Sequence, residues 1–418
     1  MEVEKALKLL ERGAEEAEVY YCREAARKVD VQRWEVNTSK EGISFGYGIR
    51  AIKGKRMGFA FANALTEELL ERALKAAAIA EADEYNSLPE RQEYGGESAF
   101  DRRIVELQPE EVVEAMPSLL EPCTREKVQP TTGFVLWAAR EVGVWNTHGL
   151  EGKEEATFCL ASLGTVVPGK DVTGYSYAAA RAYGDLDLRA VGEEAAVLAA
   201  RSVDPVRIES METDVTLRPD AVTELLENAL VPAFSADNVQ RGRSLLAKEV
   251  GKEIFAPGLT IVDDGALPGG LQSGRFDAEG VRAQRKVLVE NGVLRGFLFD
   301  AYTARKAGRE STGNAERGSH AALPKIAPTN VLVEGEKGIG ETFVVHGLIG
   351  AHTVNPITGD FSVETKNAFY KGKPVKKAIL SGNVFELLKK VKGLGEDYRQ
   401  TSAVRAPSVE FEKVRVVG

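Results

Sequence analysis

WEVNTSKEGISFGYGIRAI (Trp34 to Ile52) and VWNTHGLEGKEEATFCLASL (Val144 to Leu163) carry the same kind of pattern, in which aromatic and β-branched residues alternate with polar residues and glycine. That alternation predicts strands with one buried and one solvated face. In the first stretch, Asn37 to Ser39 is expected to form the turn. Each stretch is followed by a second short strand, GFAFANA (Gly58 to Ala64) or GYSYAAARA (Gly174 to Ala182), and then by an alanine-rich helix. The first of these helices starts at Thr66, a good N-cap, and gathers Leu69, Leu70, Ala73, Leu74 and Ala77 on one face; the second runs from Asp187 to Arg201. The first half is therefore read as a duplicated strand-strand-helix unit, preceded by an N-terminal helix (Val3, Ala6, Leu7, Leu10) that stops near Gly13.

Ser202-Val203-Asp204-Pro205 breaks this pattern, because proline ends a helix and biases its predecessor to extended backbone. Two domains are predicted, residues 1–205 and 206–418. The second opens with a strand at Asp214 to Leu217 and a helix from Arg218 or Pro219 to Pro232, whose apolar stripe is Val222, Leu225, Leu226, Ala229 and Leu230. Beyond it come LTIVDD, KVLVENGVLRGFLFD with an Asn291-Gly292 hairpin turn, PTNVLVEGE, ETFVVHGL, FYKGKPVKKAILSGN and one short helix, NVFELLKKV. The predicted class is α+β: an N-terminal α/β-sandwich-like domain and a C-terminal mixed or mainly antiparallel β domain with a few helices.

At 418 residues, with 43% hydrophobic and 28% charged, the chain can build more than one core. Lys plus Arg number 54 against 63 Asp plus Glu, a net charge of −9, which argues against a nucleic-acid binder. The longest apolar runs, such as Phe134 to Ala139, are far below the roughly 18 residues of a membrane helix. The acidic start, MEVEKALKLLERGAEEAE, lacks the basic and apolar blocks of a secretory signal, so a cytoplasmic protein is expected. Cys22, Cys123 and Cys159 fit neither a disulfide framework nor a zinc-ribbon spacing.

Motifs with their own chemistry are scarce. His346 and His352 flank Gly347 and Gly350, which argue against one strand presenting both rings to a metal, and His148 and His320 are isolated. Nothing marks a histidine as base to a particular serine or cysteine, and GEKGIGET (Gly335 to Thr342) lacks the GK[ST] ending of a phosphate loop. Asp263, Asp264, Asp277 and Glu279 could together ligate a cation, although carboxylates beside glycine loops are more often turn-formers.

DAEGVRAQRKVLVENGVLRGFLFDAYTARKAGRESTGNA (Asp277 to Ala315), GAHTVNPITGDFSVET (Gly350 to Thr365) and EGISFGYGIRAIKGKRMGFAFAN resemble the TldD/PmbA family, the so-called modulators of DNA gyrase. Its members form a two-component zinc protease, and the likeness runs along nearly the whole chain. Zinc-bearing members carry H-E-x-x-x-H just before D-x-x-x-R-G-x-S, plus a late cysteine ligand. Here ADNVQRGRS (Ala236 to Ser244) supplies the second motif, while Glu227-Asn228-Ala229-Leu230-Val231-Pro232 occupies the place of the first. Both histidines are replaced, by Glu227 and Pro232, and no cysteine follows Cys159. The resemblance is thus to the metal-free TldE/PmbA-type subunit.

That resemblance implies a chain with no catalytic residue and no metal or other cofactor of its own, zinc being expected in a TldD-like partner. It would pair with that partner as a heterodimer, or with itself when alone, and help enclose an unfolded or extended peptide, without nucleic acid or membrane. Exposed strand edges can hold such a peptide through backbone hydrogen bonds with little demand on sequence. The substrate- or partner-binding candidates are Arg305, Thr312, Asn314, His352, Asn355 and Asp360; ARKAGRESTGNAERGSH (Ala304 to His320), which holds the first three, is read as a loop. Glu227, on the polar side of its helix, is read as solvated. Two other readings compete: an autonomous hydrolase with a cation site around Asp263, Asp277 or His352, and a homodimeric module that binds peptides without cutting them.

Overall fold

The computed structural model describes residues 1–418 except Glu97 and Ser98, and for Thr38 and Ser39 gives the backbone alone. Six antiparallel strands form the first sheet: β1 (Glu16–Gln32), β2 (Glu35–Lys53), β3 (Arg56–Ala62), β4 (Gln129–Asn146), β5 (Glu151–Val166) and β6 (Thr173–Ala180), in the order β3-β2-β1-β4-β5-β6. The pairing of β1 with β4 makes the sheet two matching halves joined back to back. The first turn falls at Arg33 and Trp34, not at Asn37 to Ser39; Asn37 pairs with Asp30 inside β2. Arg33 adopts a left-handed conformation at φ 55°, a tight-turn geometry that the polar cluster downstream did not advertise.

One face of the sheet carries helices. Helices α1 (Val3–Leu10) and α2 (Glu67–Ile79) bury Ala6, Leu10, Leu69, Leu70 and Ala73 on Val19, Ile49 and Ala60. After the short α3 (Arg102–Glu106), α4 (Pro109–Arg125) and α5 (Leu188–Arg201) bury Val112, Met116, Val191 and Ala195 on Val135, Trp137, Cys159 and Leu163. Caps appear where the sequence places them, with Thr66 Oγ1 accepting from Leu69 N and Asp187 from Ala190 N. The duplication is visible atom by atom. A Cβ on Gly58 would lie 2.1 Å from Ala73 O and 2.2 Å from Ala77 N, and one on Gly174 would lie 2.0 Å from Ala195 O and 2.7 Å from Ala199 N. Both copies use glycine on the outer strand to seat the same two small residues, four apart, of the following helix.

The second half holds two large sheets around one core, beside a two-stranded pairing of Ala315–Glu316 with Lys325–Ile326. Strand β7 (Met211–Leu217) pairs with Phe343–Ile349 and with Val409–Val417. Ile379–Asn383 and Asp360–Tyr370 complete the ring, the latter returning to Phe343–Ile349, so that these strands close a small barrel. The other sheet contains β8 (Thr260–Asp264) and β9 (Arg285–Glu290), and Asn291 and Gly292, at φ 48° and 79°, make the expected hairpin turn. Helix α6 (Pro219–Ala233) sinks Val222, Leu225, Leu226, Ala229 and Leu230 into the shared core. Two shorter helices follow, α7 (Ala236–Gln240) and α8 (Ala301–Lys306); the segment read as a loop from Ala304 therefore begins with the last turn of α8, started by an Asp300 capping box. No helix among the described residues is long and apolar enough to cross a membrane.

Candidate functional site

Strict alternation makes the second face of the first sheet. On β5 Thr157, Cys159, Ala161 and Leu163 are buried toward or beneath the helices, so Glu154, Ala156, Phe158 and Leu160 face the other way, toward the second half. Together with Arg140 and Val142 of β4 and Tyr177, Ala179 and Arg181 of β6 and its end, they floor a cavity of about 450 Å³. Its roof comes from second-half segments around Leu271 to Gly274, Phe276 to Ala278, Gly313 to Arg317 and Ala327 to Thr329. Tyr177, Thr401 and Ser402 also line a second cavity of about 630 Å³, so the two adjoin as one cleft between the halves.

The polar side of α6 walls the larger cavity with Asp220, Thr223, Glu224 and Glu227, facing Lys366, His346 and Arg399. Arg399 ties the walls together, pairing with Glu194 at 2.9 Å and Asp220 at 3.4 Å and donating to Tyr177 O. Burial pushes Asp220 up to about 6 and Lys366 down, and drives His346 to about 4 with help from Arg218. Glu224 accepts from Leu348 N at 2.8 Å.

Glu227 corrects the sequence reading: it is partly buried in the cleft and accepts the Ser402 hydroxyl, so it is not a solvated side chain. Asn228 turns its amide back to Glu224 O, 2.7 Å away, and Pro232 offers no donor atom but its carbonyl, which Asn238 already uses. The position of the zinc motif therefore presents one carboxylate and no imidazole, and all three cysteines are buried elsewhere, in the first half. Among the described residues no three His, Cys, Asp or Glu side chains are placed to hold a metal ion.

The remaining candidates fall into three places. Arg305 donates to Ser87 O at 2.5 Å and Leu88 O at 2.6 Å, fastening α8 to the first half. Thr312 and Asn314 form one strut: Thr312 Oγ1 bonds Asn314 Oδ1 and receives Phe299 N, while Asn314, lining the smaller cavity, donates to Asp263 at 2.9 Å. His352, Asn355 and Asp360 belong to an exposed turn away from the cleft, where Asn355 accepts from Ile357 N and Thr358 N and Asp360 accepts from Thr358 and Asn383.

The proposed acidic quartet is dispersed among other partners. Asp263 pairs with Lys286 at 2.8 Å and takes Thr329, Asp264 caps Ala266 N, and Glu279 pairs with Arg50 and takes Ala301 N. Burial and the neighbouring Glu279 push Asp277 up to about 7, against three backbone N–H donors that pull it down. Sequence reasoning missed the buried junction Glu18–Arg50–Glu279 with Arg317. Charged residues at inward positions of alternating strands, as in GYGIR, were the available signal.

Family models match three stretches: PmbA/TldA metallopeptidase domain 1 over residues 17–80, the central domain over 66–203 and the C-terminal domain over 210–418. An uncharacterized protein of Methanocaldococcus jannaschii is 35% identical, with 99% of each chain covered. The chain belongs to the PmbA/TldD metallopeptidase family. The metalloprotease PmbA of Escherichia coli is 27% identical over 100% of this chain and 95% of its own. The crystal structure of TldE from Thermococcus kodakarensis superposes with a TM-score of 0.92 at 27% identity, covering 99% of both chains. The first two PmbA/TldA models fall on the two copies of the duplicated unit, and the third on the barrel half.

Proposed function

We propose that this chain is the zinc-free, non-catalytic subunit of a TldD/TldE-type metalloprotease, and that its cleft forms part of a chamber for unfolded or extended peptides. The observation that carries the reading is α6: Glu227, Asn228 and Pro232 stand where a zinc-bearing chain needs two imidazoles and a general base. One carboxylate held by a serine cannot replace them in lowering the pKa of a bound water. The chain would act in the cytoplasm, pair with a TldD-like partner and form a homodimer alone, with its two functional domains meeting at residues 205 and 206. Thr312 and Asn314 would keep the chamber roof in place and Arg305 its attachment; the exposed turn with His352, Asn355 and Asp360 would meet the partner.

The test is reconstitution. The purified chain should carry no stoichiometric zinc and leave an unstructured peptide intact, whereas mixing with the zinc-bearing relative from the same genome should produce cleavage that chelator abolishes and zinc restores. Chelator-resistant cleavage by the chain alone would overturn the reading. Peptide binding without cleavage by the mixture would make the chain a binding module.

A further inference from the structure

We propose that the floor of the smaller cavity is a docking site for one carboxylate of the bound peptide, the C-terminal α-carboxylate, held by Arg140 and Arg181. This deepens the peptide reading above and rests on it.

Neither guanidinium has a carboxylate within ion-pair distance among the described residues. Arg140, in the middle of β4, makes two long hydrogen bonds among the described residues, 3.4 Å to Tyr20 Oη and 3.4 Å to Arg317 O. Arg181, just past β6, spends Nη1 on Leu271 O and Nη2 on Ala99 O, leaving a buried Nε with no partner. Behind them Arg317, 1% exposed and also lining the cavity, has Nε and Nη1 without partners although its other nitrogen meets Glu18. Removing arginine from water without a counter-charge is costly, and the cost is relieved where a ligand brings the anion. Burial pulls Arg181 below its ordinary value; Glu154 opposes that pull and the Arg140 charge adds to it, so the nearby carboxylate does not offset the burial of this cation. Planar guanidinium groups suit a carboxylate because each can offer it two parallel N–H donors.

The surroundings select the kind of anion. Glu24, the cross-strand neighbour of Arg140, lines the same cavity with Glu154, Asp277 and Glu316, so a dianionic phosphate meets about twice the like-charge repulsion that a monoanion does. Val142, Ala156, Phe158 and Leu160 supply apolar floor beside the arginines for the last side chains of a peptide. The carboxyl terminus is the monoanion that every peptide carries whatever its sequence, which agrees with a chamber that reads extension more than side chains.

The full-length chain, titrated against an unstructured peptide labelled at its N-terminus, is the experiment. Fluorescence anisotropy should show the free-acid peptide binding about tenfold more tightly than the same peptide with a C-terminal amide, a factor set by charge-assisted hydrogen bonds. Arg181→Gln should bring that ratio close to one, Arg140→Gln likewise, and Arg181→Lys should keep part of it. Thermal melting verifies that each variant is folded, and Arg181, which follows its strand, is the safer of the two sites. Acetate should compete for the free-acid peptide at least as well as inorganic phosphate. Equal binding of acid and amide, or a preference that survives both Gln substitutions, overturns the carboxylate site while leaving the peptide reading intact. Failure of both peptides to bind overturns the two together.

Discussion

The two copies of the strand-strand-helix unit bury their helices in the same way and treat their opposite faces in contrary ways. In the first copy Tyr20 and Cys22 of β1 face Gly48 and Gly46 of β2, and the missing side chains let the second half lie directly on the sheet: Cβ atoms there would come within 2.5 Å of His320 O and 2.4 Å of its ring. Glu18 then gathers Arg50, at 3.0 Å, and Arg317, while Arg50 reaches Glu279 at 2.7 Å. In the second copy Ala156, Ala179 and the two arginines floor open space. The face away from the helices is thus free to diverge once the helix face is set, one copy becoming a joint and the other a cavity wall.

The largest expected effect breaks the joint. Glu18→Gln leaves Arg50 and Arg317 buried without their shared carboxylate and should cost about 3–5 kcal/mol in denaturant unfolding. Glu24→Gln, on the same strand but facing the open cavity, should change stability by no more than about 0.5 kcal/mol. Equal losses would erase the distinction between joint and wall.

A smaller effect sharpens the likeness of the copies. Gly58→Ala and Gly174→Ala each drive a methyl into helix backbone, so each should destabilise by about 1–3 kcal/mol, and by similar amounts. A cost at one site only would show that the helices are seated differently.

The smallest concerns pH in the open cleft. His346 faces Arg218, Arg201, Glu341 and Asp397 and packs edge-on to Phe369; burial, then the arginines, lower it from 6.5 to about 4. The native ring binds a proton more weakly than the unfolded chain does, so its contribution is whole above pH 6.5 and is lost as pH falls toward 4. Asp220 and Asp277 work in the opposite sense, their raised values favouring the folded state in acid and losing that contribution as pH rises through about 6 and about 7. His346→Gln should therefore melt progressively higher relative to the parent between pH 6.5 and 4, and a constant difference across that range would refute the burial of this ring.

Much of this architecture was legible in sequence because period and caps are local. Thr66, Asp187 and Asn291-Gly292 each declare a boundary that the chain obeys. The first hairpin was misread because Arg33, with no turn chemistry of its own, is placed left-handed by the pairing of long strands on either side. The site was less legible. Glu227 was found by its place in a motif, yet its environment depends on Ser402, 175 residues away. Arg140, Arg181 and Arg399 stand in no sequence motif, and it is the meeting of two halves of the chain that puts them on one cleft. His352, Asn355 and Asp360 form a local Asx-type turn, the sort of motif that is conspicuous in sequence because it is self-contained.

Arg305 gripping Ser87 and Leu88, Tyr302 bonded to Asp83 at 2.7 Å, and Asn367 bonded to Ser202 at 2.8 Å rivet the halves at separate points around the cleft, with Arg399 bridging its interior. A jaw would need one flexible edge, and these fastenings leave the slot a rigid gauge. What passes through a gauge is sorted by cross-section, so under the proposed function a single strand of polypeptide would be admitted and a packed domain turned away at the lip, with no motion and no recognition of sequence required.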